Sequence, residues 1–280
     1  TAAVTAATRD QLAAFHAAWV RPDNARIFVV GDTTLKDVTK QLDAAFGNWK
    51  PPAAAKGVKH FETPVPAPTP RILLFDRPKS PQSVIMAGKV LTAKGTDDLE
   101  VLRSANDIFG GNFLSRFNTN LRETKGWSYG ARSSVSGGRG PRSFMVSAPV
   151  QTDRTKDAVV ELRKELTDIV GRKPPTPAEL NTVRTNTLLG MSSRWETADA
   201  VIGTLQDIYL FNLPADYWAK YADTYRTVTP AEVEAMAKTI IPNQNHVWVI
   251  VGDRAKIEKG VRDLNIGDVH VVDANGNAVD

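Results

Sequence analysis

The sequence predicts an α+β fold, a mainly antiparallel sheet with helices packed on one face. Three observations lead there. Short apolar runs cluster early in a domain that starts near residue 71, and helical periodicities follow, so strands and helices are segregated rather than alternating. Thr8-x-x-Gln11, Thr176-x-x-Glu179 and Thr229-x-x-Glu232 are capping boxes that start helices. Finally, a helix–turn–strand–Gly-Asp–helix pattern occurs twice. Thr8 maps to Thr229, Asn24 to Asn245, Gly31 to Gly252 and Asp32 to Asp253, each 221 positions apart.

In the first copy, Leu12, Phe15 and Trp19 share one helical face. In the second, Val233, Met236 and Ile240 do, with Pro230 at the first helical position. Turns follow at Pro22-Asp23-Asn24 and Pro242-Asn243-Gln244-Asn245. Dense apolar strands come next, Ile27 to Val30 and Val247 to Val251, each closed by Gly-Asp before another helix. A repeat this long is a duplicated domain. Residues 1–62 read as the helix–strand–helix tail of an upstream domain, and 63–280 as a complete one, with Pro64 to Pro70 as linker. The apolar faces of the tail need a cover, either the complete domain or a second copy of the chain.

The complete domain opens with strands Arg71 to Asp76 and Ser83 to Val90. A helix spans Asp97 to Phe109, and another spans Leu114 to Thr124, stopped by Gly126. Trp127 to Val135 and Ser143 to Val150 form a hairpin around Gly137-Gly138-Arg139-Gly140. Helices then cover Asp153 to Val170, the run from Thr176, Thr197 to Tyr209, and Ala215 to Tyr225.

Composition narrows the function. Hydrophobic residues make up 42% and charged residues 24%, as in ordinary globular domains. No run of about 18 apolar residues spans a membrane. The chain starts at Thr1, and its opening does not have the pattern of a signal peptide, which suggests a processed or cut product. Cysteine is absent, so disulfides, thiolate metal sites and a Cys nucleophile are excluded. A net charge of +4 without a basic run interleaved with aromatics argues against a nucleic-acid partner. Neither Gly-x-Ser-x-Gly nor a phosphate-binding loop occurs.

The segment FGGNFLSRFNTNLRETKGWSYGARSSV, Phe109 to Val135, resembles the signature of the insulinase/pitrilysin family of zinc metallopeptidases. So does the run IFVVGD followed by a helix and FGNW. The resemblance implies a processing-peptidase-like duplicated domain and a catalytic unit built from two halves. One half carries zinc on a His-x-x-Glu-His helix. This chain has only His16, His60, His246 and His270, and none opens that motif. It therefore reads as the C-terminal, non-zinc half, inactive alone, binding no cofactor itself. Zinc is expected in the partner half, either an N-terminal region or a separate subunit.

The family resemblance carries two residues over. Arg122 and Tyr129, seven apart, match the Arg and Tyr that some relatives contribute from the non-zinc half. Arg122 would hold substrate backbone or carboxylate, and Tyr129 would stabilise the oxyanion of the tetrahedral intermediate. The substrate would be an unfolded peptide in an enclosed chamber. A homodimer is a further possible assembly, and export to the periplasm is implied by analogy with bacterial relatives. The alternative is a catalytically inert assembly subunit, like the family's core proteins in respiratory complexes.

Each of these residues also has a structural reading. Arg122 near a helix C-terminus suits the dipole. Tyr129 reads as a strand residue with Trp127, Ala131 and Val135 on its face. Gly110-Gly111-Asn112 reads as a helix stop and turn, Asp32 and Asp253 as turn or cap residues, and Ser115-Arg116 as structural.

Overall fold

The computed structural model describes residues 2–61, 69–94, 99–242 and 244–279, and at 92–94 the backbone alone. Helices are α1 (Ala2–Thr5), α2 (Arg9–Trp19), α3 (Leu35–Phe46), α4 (Leu99–Asn106), α5 (Arg116–Asn118), α6 (Thr155–Val170), α7 (Pro177–Gly190), α8 (Ala198–Phe211), α9 (Tyr217–Thr227), α10 (Pro230–Ile240) and α11 (Arg254–Arg262). Strands are β1 (Arg71–Asp76), β2 (Gln82–Lys94), β3 (Arg132–Val135), β4 (Pro141–Gln151), β5 (Val247–Gly252) and β6 (Asp268–Val272). Most of the expected linker, the start of the expected helix at Asp97, and Asn243 lie outside the described residues. No described helix is long and apolar enough to cross a membrane.

Two compact units emerge, Thr1–Thr63 with Ser193–Asn212, and Pro64–Ser192 with Leu213–Asp280. In the second unit the strands run in the order β3-β4-β2-β5-β1-β6. β3/β4, β4/β2 and β2/β5 are antiparallel, whereas β1 pairs in parallel with both β5 and β6. The sheet is thus mixed, a refinement of the antiparallel expectation. The cause is α11, a crossover between β5 and β6 that makes both run the same way on either side of β1. β6 was not expected from sequence; it is a short edge strand with only Val271 and Val272 buried.

One sheet face makes the core. Ile72, Leu74, Ile85, Ala87, Phe144, Val146, Trp248 and Ile250 alternate along four strands, and all are buried. Apolar faces of α4, α6, α10 and α11 supply Leu102, Leu162, Leu166, Val233, Ala237 and Ile257. Phe109 stacks on Phe117 at 5.8 Å between centroids, 9° from parallel. Burial of each such side chain is worth about 1.5–3 kcal/mol. The three capping boxes form as expected at Thr8, Thr176 and Thr229. The expected helix stop at Gly126 also holds, at φ +66.

Asp253 sits at the N-cap position of α11 but makes no side-chain cap bond. The Arg254 N–H is instead accepted by Asp76 Oδ1 at 3.0 Å, from the end of β1. Likewise Thr34, not Asp32, caps α3.

The first unit has a different character. Arg21 is pinned by Asp23 at 2.6 Å and by the Ala54 carbonyl at 2.7 Å. Phe28 meets Tyr209 of α8 edge-on, and Arg26 lies over the same ring. Yet no apolar side chain among its described residues is buried. The expected strand Ile27 to Val30 does not form, because no described strand lies beside it to take its backbone groups.

Position 250 in the repeat corresponds to position 29. Ile250→Ala should cost about 2–5 kcal/mol in urea melts. Val29→Ala should stay within about 0.5 kcal/mol in the isolated chain. Equal losses would show that the first unit holds a core of its own.

Two groups, the half-buried Asp107 and the buried His246, set opposite pH dependences. Burial raises the Asp107 carboxyl from 3.8 to about 6, against the pull of Arg103. Its contribution to stability is complete below pH 3.8 and is lost as pH rises through 6. Burial lowers His246 from 6.5 to about 4, although its ring hydrogen-bonds the Pro242 carbonyl. Its contribution is complete above pH 6.5 and is lost as pH falls through 4. Relative to wild type, Asp107→Asn should make the melting temperature climb more steeply with pH between about 4 and 6.5, and His246→Phe should make it climb less. Calorimetry across that window checks both slopes. Parallel profiles for all three proteins would contradict the assignment.

Candidate active-site cleft

The segment after α4 shapes the site. The chain widens into π-helical turns over Asp107–Gly111 and Thr119–Thr124, with α5 between them. At Gly110 a Cβ would lie 2.6 Å from Ser133 Oγ and 2.7 Å from Ser133 N, so glycine lets this turn pack directly on β3. Asn112 closes the turn, its Oδ1 accepting from Leu114 N at 2.8 Å. Gly110-Gly111-Asn112 is therefore a packed turn. Arg116 is locked as well, donating to both Glu179 carboxylate oxygens and to the Lys173 and Pro174 carbonyls.

After Thr124 the chain reverses, with Gly126 N–H donating to the Arg122 carbonyl and Trp127 N–H to the Leu121 carbonyl. Trp127 to Ala131 is not strand, contrary to expectation; β3 starts only at Arg132. Side chains take over the backbone pairing. Asn118, buried, donates from Nδ2 to the Phe113 carbonyl at 2.7 Å and accepts the Ala131 N–H at 2.9 Å. Ser128 donates from Oγ to the Pro149 carbonyl at 2.5 Å and accepts the Gly130 N–H at 3.1 Å. The Trp127 carbonyl accepts from Gln151 N. Tyr129 therefore stands on a short bridge held on both sides, its ring 86% exposed rather than part of a strand face.

Arg122 projects from the second π turn. Its guanidinium lies 4.5 Å from the centroid of the Phe113 ring, and Nε is 3.1 Å from Glu123 Oε1. A half-exposed ion pair of this kind contributes little and exchanges readily. Arg122 and Tyr129 line one cleft of about 350 Å³, with Gln82, Glu123, Trp127, Ser128 and Gln151 around them. The structure thus brings the two sequence-named residues together. It adds Asn118 and Ser128, which the sequence reading missed. The motif is rich in polar residues, and nothing in its local pattern sets these two apart.

A larger groove of about 1010 Å³ runs along α5, the following π turn and the α6–α7 turn. Its charges are paired across it. Asn120 donates to Glu161 and Glu165, Lys125 faces Glu161, and Arg116 holds Glu179. That network is a clamp between elements.

The histidines are dispersed. His16 is on α2, His60 near the end of the first unit, His246 buried before β5, and His270 on β6. Among the described residues no group of three His, Cys, Asp or Glu could hold a metal ion. The described residues do not offer a ligand set that fits zinc.

No curated protein sequence matches the chain. Among solved structures, a peptidase M16 inactive domain from Pseudomonas fluorescens aligns with TM-score 0.76 and 22% identity, covering 90% of this chain and 59% of that one. A protease from Helicobacter pylori aligns at 0.70 and 18%, covering 89% and 60%. The periplasmic protease PqqL from Escherichia coli aligns at 0.59 and 14%, covering 79% and 24%. These likenesses show a shared fold, and the chain spans about three fifths of the first two structures or less of the third. The peptidase M16 inactive domain matches the sequence itself over residues 6–187. On that match the chain belongs to the peptidase M16 inactive-domain family, the C-terminal half of the insulinase-type peptidases.

Proposed function

We propose that the chain is the non-zinc half of a zinc metalloendopeptidase, contributing Arg122 and Tyr129 to a composite site. Residues 1–62 belong to the tail of one domain and 63–280 to a second. The zinc-bearing half lies in an N-terminal region or a separate subunit, and the substrate is an unfolded peptide. The observation that carries this reading is the cleft that Arg122 and Tyr129 share, with Tyr129 presented outward on a bridge that Asn118 and Ser128 hold in place. Family membership supports it, as does the greater length of the related structures.

The chemistry needs the second half for a physical reason. A phenol exposed to this degree exchanges a water for an oxyanion with little gain. Covering the cleft removes that water, so the same hydrogen bond becomes worth far more in the transition state. Arg122, held loosely by Glu123, can turn its planar donors to a substrate carbonyl or carboxylate.

In the reassembled enzyme, Tyr129→Phe should lower kcat about 10²–10³-fold, the loss for one oxyanion donor. Arg122→Ala should lower kcat/KM about 10–100-fold, the worth of a charge-assisted hydrogen bond. Both variants should still assemble, as size-exclusion chromatography would show. Full turnover in both, with intact assembly, would instead identify an inert assembly subunit.

A further inference from the structure

Side chains alternate along a strand, so the residues between the core positions form the other face of the sheet. On β2 these are Gln82, Val84, Met86, Gly88 and Val90. Register fixes their neighbours. Gln82 pairs with Gln151, Met86 lies between Ser147 and Val249, and Gly88 lies between Met145 and Val247. This face stays partly open, with Val90 43% and Met145 47% exposed. Gln82 and Gln151 also line the cleft of Arg122 and Tyr129, so cleft and face are continuous along β2. Further along, Met86, Gly88, Val90, Met145, Val247 and Val249 line a hollow of about 360 Å³. Gly88 leaves its floor bare. A Cβ there would come within 3.0 Å of the Phe144 carbonyl oxygen, so the spacing to β4 favours glycine, and the missing side chain opens the hollow.

From this continuity we infer that the hollow at Gly88 is a substrate subsite. It takes one large apolar side chain of an extended peptide, about six residues from the bond held at Arg122 and Tyr129. The spacing follows from the strand itself, because an extended peptide and β2 rise by the same amount per residue, about 3.3 Å. Apolar walls on three strands remove the side chain from water, and the thioethers of Met86 and Met145 adapt to its shape. Gln82 and Gln151 offer amide donors and acceptors to the peptide backbone on the way. A flat partner surface would leave the hollow empty, whereas a single projecting side chain fills it. The inference rests on reading the substrate as an unfolded peptide, and it names what that peptide must carry: a Leu, Ile, Met or Phe at a fixed distance from the cleaved bond.

Methyl NMR on the full chain with labelled methionines reads the hollow directly, since the four methionines are Met86, Met145, Met191 and Met236. A long unstructured peptide with one Leu among Ser, Thr and Gly residues should shift Met86 and Met145 and leave Met191 and Met236 in place. The same peptide with Ser for Leu should shift none of them. Gly88→Val, which plugs the hollow, should abolish the shift at Met86. Met145→Gln, on an exposed wall, should weaken it and decides the matter if Gly88→Val does not fold. In the reassembled enzyme, moving the Leu stepwise along the peptide should raise kcat/KM about 10-fold or more at about six positions from the cleaved bond, on one side only. Gly88→Val should remove that maximum. Tyr129→Phe should lower turnover of Leu and Ser peptides alike and leave the methyl shifts in place, so failure of the composite site and failure of the subsite are read separately. Equal shifts with both peptides, or a Leu scan without a maximum, would overturn the inference. So would loss of assembly in Met145→Gln, which would identify the zinc-bearing half as the cover of this face.

Discussion

A strand in the middle of a sheet must have both of its edges paired, since each unpaired N–H and C=O removed from water costs free energy comparable to a lost hydrogen bond. β5 meets that requirement between β2 and β1. Around it the helix-side face closes, with Trp248 and Ile250 buried in the core. The α11 crossover follows from β5, as does the mixed character of the sheet. The end of β1 is placed so that Asp76 caps α11. The same sequence pattern twenty-odd residues from the start has no such neighbours, and its backbone stays irregular. The contrast separates what a local sequence encodes from what its surroundings supply.

That distinction decides what was legible in the sequence. The capping boxes at Thr8, Thr176 and Thr229 close within three residues, and each formed as read. So did the turn after Thr124, where Gly126 supplies a positive φ. The pattern Trp127, Tyr129, Ala131 alternates like a strand, but its pairing is taken by Asn118 and by Ser128 to Pro149, contacts that no local window contains. The α11 cap comes from Asp76, 178 residues away. α8 is apolar around much of its surface, and it clusters with the N-terminal segment rather than with its neighbours in sequence. Local chemistry reads well, and partners chosen by topology do not.

The cleft shows the same division. The spacing of Arg122 and Tyr129 was visible in the motif, whereas the means of presenting them was not. A packed turn at Gly110, a buried amide at Asn118 and a hydroxyl at Ser128 fix the backbone, and the two reactive-looking groups are left at the surface. Rigid support beneath exposed side chains is what a composite site needs, because one wall must keep its geometry before the other arrives. The paired charges of the larger groove serve the support, holding α5 to α6 and α7.

The most direct test of the composite-site account measures zinc content and peptidase activity on the purified chain, then repeats both after adding the zinc-bearing half. The account predicts no stoichiometric zinc and no turnover from the chain alone, with turnover appearing on mixing. Stoichiometric zinc together with chelator-sensitive cleavage by the isolated chain would contradict it, and would place a complete catalytic centre among His16, His60, His246 and His270.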